Sequence, residues 1–105
     1  MKRYVIKPGE KGIDALHAQE MTSRKPAPQE VCVRVQAASL NYRDLITVNT
    51  GVSHELVPFS DGAGVVEDVG ENVLQLKKGD RVGGLFFPLW QSGTIDARKV
   101  AKARG

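Results

Sequence analysis

The sequence predicts one mainly β domain of the barrel or sandwich type. The 105-residue chain is 41% hydrophobic and 26% charged, a composition typical of a soluble domain with a single core. Its apolar residues occur in short runs that are separated by Gly and Pro turn signals. The sequence shows neither a sustained amphipathic helix nor an internal repeat. Together these observations favour short strands joined by tight turns.

The N-terminal third is predicted to contain a strand, an ambiguous segment and a connector. Residues 3–7 alternate between polar and apolar side chains and end at a Pro-Gly turn signal, so we expect a strand there. Residues 12–21 fit either a strand or a short helix. Residues 23–30 contain two prolines within three positions, which predicts an extended connector.

The clearest strand is predicted at residues 30–39. Alternate side chains there divide into an apolar face and a second face formed by Cys32, Arg34 and Gln36. The apolar face consists of Val31, Val33, Val35 and Ala37.

The remaining elements are predicted to be short as well. Residues 44–51 predict one or two helical turns that end at Gly51. Residues 62–70 form a strand pattern flanked by glycines. The segment 71–87 contains a tight turn at residues 78–80, and another strand pattern follows that turn.

Charge and composition exclude several classes of function. Four of the fifteen basic residues lie in the last ten positions, so we divide the chain into a body (1–93) and a basic, solvated tail (94–105). The body has no basic stripe with interleaved aromatic residues, and we expect no nucleic-acid partner. No apolar run approaches the roughly 20 residues of a membrane span. Cys32 is the single cysteine, so no disulfide framework is expected. A cytoplasmic location is the simplest expectation.

The glycine-rich strand "GAGVVEDVG" does not predict a phosphate site. A dinucleotide-binding loop requires the spacing G-x-G-x-x-G between a strand and a helix, but Glu67 occupies the third glycine position. Asp68 adds a second acid that would repel a pyrophosphate. We therefore interpret Gly62, Gly64 and Gly70 as small residues that allow close backbone packing.

Four polar or aromatic residues stand together where the clearest strand ends: Asn41, Tyr42, Arg43 and Asp44. Either they cap and fix a turn, or they face a ligand, and the residues alone favour the first alternative. Asp61 and Asp80 have the pattern of turn residues. Cys32 is interpreted as a packing residue. His17 and His54 have no partner at ligand spacing and receive no role.

Three segments taken together resemble the N-terminal part of a medium-chain dehydrogenase/reductase of the quinone oxidoreductase-like branch. They are "VRVQAASLNYRDL", "VPFSDGAGVVEDVGENVLQLKKGDRV" and "GLFFPLWQSG", and their order and spacing match that family up to about Gly93. The resemblance implies a GroES-like, partly open β-barrel with one or two short helical turns. In the family, this domain normally precedes a Rossmann domain that binds NADP or NAD, and no such domain is recognisable in this chain.

The resemblance also implies that catalytic zinc is absent. Zinc-dependent alcohol dehydrogenases of the superfamily carry Cys-x-x-Asp at this strand end and Gly-His-Glu before the glycine-rich strand. This chain has Asn41 in the Cys position and Ser60 in the His position. An amide and a hydroxyl are poor zinc ligands. The four-cysteine lobe that holds structural zinc in those relatives is missing too, so we expect no metal.

The roles of the polar cluster follow from the same resemblance. Asn41 and Tyr42 are expected to be catalytic residues of the cleft, where Asn41 also contacts the cofactor. Arg43, Asp44 and Asp61 are expected to fix the turn or to support the site. The substrate pocket is expected to be lined by Phe87, Leu89 and Trp90.

The resemblance predicts that these residues are the N-terminal substrate-domain fragment of a zinc-independent, NAD(P)H-dependent oxidoreductase, which is either quinone/enone reductase-like or alcohol dehydrogenase-like. Its substrate would be a small carbonyl compound, enone or quinone. The missing C-terminal Rossmann domain would supply the cofactor site, so the chain alone is expected to bind no cofactor and to be inactive. The alternative is a stand-alone, non-catalytic GroES-like module with a self-association or scaffold role. Neither alternative involves a membrane.

Overall fold

The structure is a computed structural model that describes residues 1–86, 88 and 92–100, with the backbone only for the last two of these. Strands predominate among the elements, and the prediction of a mainly β fold is confirmed. The elements are, in chain order, β1 (Lys2–Ile6), a 3₁₀ turn (Ile13–Ala15), β2 (Leu16–Glu20), β3 (Val31–Ser39), α1 (Tyr42–Thr50), β4 (Asp61–Val69), β5 (Arg81–Gly83) and α2 (Ala97–Val100).

The ambiguous segment 12–21 contains both predicted alternatives. Its first part is the 3₁₀ turn, and its second part is β2. The predicted helical turns lengthen into α1, which begins two residues earlier than expected and ends before Gly51. The change at its N-terminus arises from a capping interaction that is described below.

The chain divides into two compact units. The first comprises Met1–Thr22, Ser39–Asp61 and Leu85–Gly105. Within it, β1 and β2 form an antiparallel pair whose register runs from Lys2 opposite Glu20 to Ile6 opposite Leu16. The backbone of Ile6 also exchanges two hydrogen bonds with Leu56, of 2.8 and 3.0 Å.

The core of the first unit lies between the hairpin and α1. Its buried members are Ile6 from β1, Ala15 from the 3₁₀ turn and Val48 from α1. Leu16 and Val52 are partly buried and pack against them. Because Val48 contributes to this core, α1 is held by packing as well as by its own hydrogen bonds.

The second unit comprises Ser23–Ala38 and Gly62–Gly84 and is built on a sheet with strand order β3-β4-β5. The close-packing interpretation of the glycines is confirmed at two positions. A Cβ atom on Gly64 would lie 2.0 Å from the Arg34 carbonyl oxygen, and one on Gly70 would lie 1.9 Å from that of Ala27. Gly62 has more room, since its nearest neighbours are 3.8 Å away.

The predicted tight turn before β5 is confirmed. Gly79 adopts φ 91°, a conformation that favours glycine. The Asp80 carboxylate accepts hydrogen bonds from the backbone N–H and the Nζ of Lys77, at 3.0 and 2.8 Å. The turn is therefore closed by a side chain that bonds the backbone three residues earlier.

Two apolar surfaces remain exposed. On β3 the predicted apolar face is only half buried at Val31 and Val33, and Val35 is exposed. On α1 the side chains of Tyr42, Leu45 and Ile46 are exposed although the opposite face is buried.

Among the described residues, no helix has the length and apolar character that crossing a membrane requires.

Candidate functional site

The N-terminus of α1 is fixed by a capping box formed by Asn41 and Asp44. Asn41 has extended backbone angles, φ −127° and ψ 159°, which is the usual geometry of a residue directly before a helix. Its backbone N–H donates to Asp44 Oδ2 at 2.8 Å. The backbone N–H of Asp44 donates in return to the backbone carbonyl oxygen of Asn41 at 3.0 Å. This reciprocal bonding explains why the helix starts at Tyr42.

The Asn41 side chain joins α1 to the start of β4. Its Nδ2 donates to Asp61 Oδ2 at 2.8 Å and makes a longer contact of 3.4 Å to the Ser39 carbonyl. Asp61 is the first residue of β4, so the end of β3, the N-terminus of α1 and the start of β4 meet at one amide group.

The segment directly before Asp61 is buried and has a strained backbone. Ser60 is only 6% exposed. Phe59 has φ 75°, a left-handed conformation that a bulky side chain rarely adopts. In the resemblance described above, Phe59 corresponds to the glycine of the Gly-His-Glu motif, and glycine adopts this conformation without strain.

Tyr42 and Arg43, the first two residues of α1, have exposed side chains. The Tyr42 side chain is 77% exposed, and within the described part of the chain its hydroxyl has no hydrogen-bond partner. The Arg43 guanidinium carbon lies 5.2 Å from the centre of the Phe86 ring, within the range of a cation–π interaction.

The structure thus brings five of the predicted site residues to one place: Asn41, Tyr42, Arg43, Asp44 and Asp61. The three predicted pocket residues, Phe87, Leu89 and Trp90, lie outside the described residues. Sequence reasoning assigned no role to Phe86, although its place at the start of the aromatic run was the available signal.

Other side chains that could bind a metal or react make contacts outside this cluster. His17 Nε2 is hydrogen-bonded to Glu10, and the Cys32 thiol lies 3.9 Å from a carboxylate oxygen of Glu67. Within residues 1–86, 88 and 92–98, no three His, Cys, Asp or Glu side chains are grouped so that they could hold a metal ion.

Comparisons with known proteins identify the family of this chain. The family model of the alcohol dehydrogenase GroES-like domain matches residues 27–100. The zinc-type alcohol dehydrogenase-like protein of Schizosaccharomyces pombe is 43% identical over 97 residues, which are 88% of this chain and 28% of that protein. The acryloyl-coenzyme A reductase of Sulfurisphaera tokodaii is 32% identical over 90 residues, which are 83% of this chain and 26% of that protein.

The solved structures show the same similarity. The crystal structure of Escherichia coli quinone oxidoreductase complexed with NADPH superposes with a TM-score of 0.67 at 30% identity, covering 79% of this chain and 26% of that one. The chain therefore spans about a quarter of the length of these relatives. The family match and the superposition agree on the fold, and the chain belongs to the alcohol dehydrogenase GroES-like domain family of the medium-chain dehydrogenases/reductases.

Proposed function

We propose that this chain is the substrate-side part of a nicotinamide-dependent oxidoreductase that reduces an enone or quinone without catalytic zinc. The observation that carries the proposal is the 2.8 Å hydrogen bond between Asn41 and Asp61. Asn41 stands where zinc-dependent relatives have a cysteine ligand. Its amide nitrogen donates to Asp61 and is a poor metal ligand, because its lone pair is delocalised into the carbonyl group. Ser60 stands in the histidine position, and its hydroxyl group is a poor zinc ligand.

The names of the relatives support the reduction of an enone or quinone, but they do not support independence from zinc. Quinone oxidoreductase and acryloyl-coenzyme A reductase both name reductions of conjugated carbonyl compounds. The name of the Schizosaccharomyces pombe protein refers instead to the zinc type. Independence from zinc therefore rests on the residue types at positions 41 and 60.

Without a metal, the substrate carbonyl must be polarised by hydrogen-bond donors. A bound nicotinamide supplies the hydride in such reductions. Negative charge then develops on the substrate oxygen, and a phenol is a suitable donor of a hydrogen bond or a proton to that oxygen. Tyr42 fits this role because its hydroxyl is exposed and unpaired within the described residues.

Asn41 fits a role beside Tyr42 that is partly structural. Its short hydrogen bond to Asp61 holds the amide in place, whereas its 3.4 Å contact to Ser39 is long and weak. A ribose or substrate oxygen would replace that longer contact at little cost. We therefore assign Asn41 to orienting the ligand, and Asp44 and Asp61 to orienting Asn41.

The test is a kinetic comparison in the complete enzyme that carries these residues. We expect NAD(P)H oxidation with an enone and a quinone, and not with a saturated aldehyde. Tyr42→Phe should lower kcat by about 10²-fold, the size expected for loss of one acid or oxyanion donor. Tyr4→Phe is the matched control, because Tyr4 is an exposed tyrosine on β1. Equal rates for Tyr42→Phe and the control would refute the role of Tyr42.

A further inference from the structure

We propose that the carboxylate of Asp61 determines substrate specificity, so that the site accepts neutral carbonyl compounds and disfavours anionic ones. The inference rests on the proposed function, because it narrows the substrate class of the same site. It gives Asp61 a second role besides orienting Asn41. Two observations carry it: the hydrogen bond between these two residues, and an Asp61 charge without an ion pair in the described part of the chain.

The Asn41 amide determines how far Asp61 lies from a bound ligand. Its Nδ2 atom donates to Asp61 Oδ2 at 2.8 Å and makes the weaker 3.4 Å contact to the Ser39 carbonyl. A ligand oxygen that replaces the Ser39 contact would accept from the second hydrogen of the same NH₂ group. The two N–H bonds of an amide diverge by about 120°, so two acceptors at ordinary hydrogen-bond distances lie about 5 Å apart. The Asp61 carboxylate would therefore lie close to the oxygen that Asn41 orients.

The negative charge of Asp61 is exposed and has no cationic partner within the residues that the structure describes. Other acids of the chain are paired. Glu30 lies 2.8 Å from a guanidinium nitrogen of Arg24, and Asp80 lies 2.8 Å from the ammonium nitrogen of Lys77. Asp61 instead accepts a hydrogen bond from a neutral amide, which leaves its charge uncompensated.

Asp44 adds a second negative charge at the same end of α1. It is 8% exposed and accepts the Asn41 backbone N–H, so two carboxylates bond to one residue. The N-terminus of a helix ordinarily attracts anions through its dipole and its free N–H groups, and these carboxylates oppose that attraction. The nearest cation along the chain, Arg43, has its guanidinium over the Phe86 ring, 5.2 Å from the ring centre. An anionic substituent on a ligand bound at the Asn41 amide is therefore repelled.

Permanent and transient negative charges on the substrate are affected differently. Hydride transfer places a negative charge on the carbonyl oxygen, and the proposed proton donation by Tyr42 removes it during the reaction. A sulfonate or carboxylate substituent keeps its charge throughout. Its repulsion by Asp61 therefore weakens binding as well as turnover.

Asp61→Asn isolates the charge, because asparagine keeps the size of the side chain and an oxygen that can accept from Asn41. Asp68→Asn is the matched control. It removes the same charge from the same strand, β4, at a position where the carboxylate lies 3.9 Å from the Lys78 ammonium. Both variants raise the net charge of the chain by one, so an effect of overall charge alone appears in both.

The first measurement compares kcat/KM for a neutral naphthoquinone and its sulfonated, anionic counterpart, in the complete enzyme at low ionic strength. Charges within about 10 Å of each other in a partly exposed site change a rate ratio by about 3- to 10-fold. We expect Asp61→Asn to raise the anionic-to-neutral ratio by that factor, and high salt to reduce the difference from wild type. A weaker hold on Asn41 would lower both rates alike and cancel in the ratio. A ratio that Asp61→Asn leaves unchanged, or that Asp68→Asn changes equally, would overturn the proposal.

The second measurement does not depend on turnover. Calorimetry gives the dissociation constants of the two quinones for the complete enzyme without reduced nicotinamide. Asp61→Asn should tighten binding of the sulfonated quinone by about 3- to 10-fold, and Asp68→Asn should bind it as wild type does. This difference in an enzyme that reduces neither quinone would refute the proposed function and retain the charge discrimination. If the neutral quinone is reduced but Asp61→Asn binds the sulfonated one no more tightly than wild type, the specificity role is refuted and the proposed function stands.

Discussion

The side-chain amide of Asn41 donates a 2.8 Å hydrogen bond to Asp61, twenty positions later in the chain. The bond ties the N-terminus of α1 to the first residue of β4. Asn41 also closes the capping box with Asp44, so one residue serves the helix terminus and the junction of two elements at once. The geometry of the candidate site therefore depends on a short polar network that joins Asn41, Asp44 and Asp61.

The capping box gives a stability prediction. Asp44 is only 8% exposed and accepts the hydrogen bond of the Asn41 backbone N–H. Asp44→Ala should lower the free energy of unfolding by about 1–2 kcal/mol, because a helix cap and a buried acceptor are lost together. Urea denaturation measures the change. Asp14→Ala, at an exposed acid in the 3₁₀ turn, is the control, and an equal effect of the two substitutions would contradict the account.

The glycine contacts predict a large difference between two chemically identical substitutions. Gly64→Ala places a Cβ atom 2.0 Å from the Arg34 carbonyl oxygen, and the backbone must shift to accept it. We expect a loss of at least about 2 kcal/mol, as for overpacked sites. Gly83→Ala meets its nearest atom at 3.8 Å and should change stability by less than about 0.5 kcal/mol. Thermal and urea unfolding measure the stability of the two variants. Similar losses of unfolding free energy for both would disprove the close-packing interpretation.

The turn before β5 predicts a dependence of stability on pH. The hydrogen bond from the Lys77 side chain lowers the pKa of Asp80 from its ordinary value of 3.8, and the Lys77 backbone N–H lowers it further. A carboxyl group whose pKa is lowered by folding stabilises the protein above its unfolded pKa, and this contribution disappears as pH falls through the folded pKa. The melting temperature should therefore fall as the pH decreases below about 4.

Asp80→Asn tests this assignment, because asparagine keeps the size of the side chain without the charge. Compared with wild type, the variant should have a lower melting temperature at pH 7 and a weaker decline between pH 5 and pH 2. Parallel curves for the two proteins over that range would show that Asp80 does not contribute to the acid sensitivity.

Local patterns in the sequence were sufficient for most of the secondary structure. The alternation in residues 30–39 predicts β3, and the Gly-Asp pair predicts the turn that Asp80 closes. The start of α1 was predicted two residues late, because Asn-x-x-Asp is a less common capping pair than Ser or Thr with Glu. Segment 12–21 stayed ambiguous because it changes from 3₁₀ to strand within eight residues.

The candidate site was predictable in composition but not in its connections. The cluster at residues 41–44 is visible as a run of polar residues, and the family resemblance connects it with the Ser60 position. The hydrogen bond from Asn41 to Asp61 joins residues twenty positions apart, and the contact of Arg43 with Phe86 joins residues forty-three positions apart. The periodicity of a helix or strand does not predict contacts over such distances in the sequence. The left-handed conformation at Phe59 was also hidden, because phenylalanine gives no sign of a positive φ.

The central claim is that the Asn41 and Ser60 positions hold no catalytic zinc. Zinc content per chain, measured by elemental analysis together with turnover before and after chelator treatment, tests it most directly. The account predicts substoichiometric zinc in the complete enzyme, and a rate of enone or quinone reduction that neither chelation nor added zinc changes. One tightly held zinc per chain, with activity lost on its removal and restored by its return, would contradict the account.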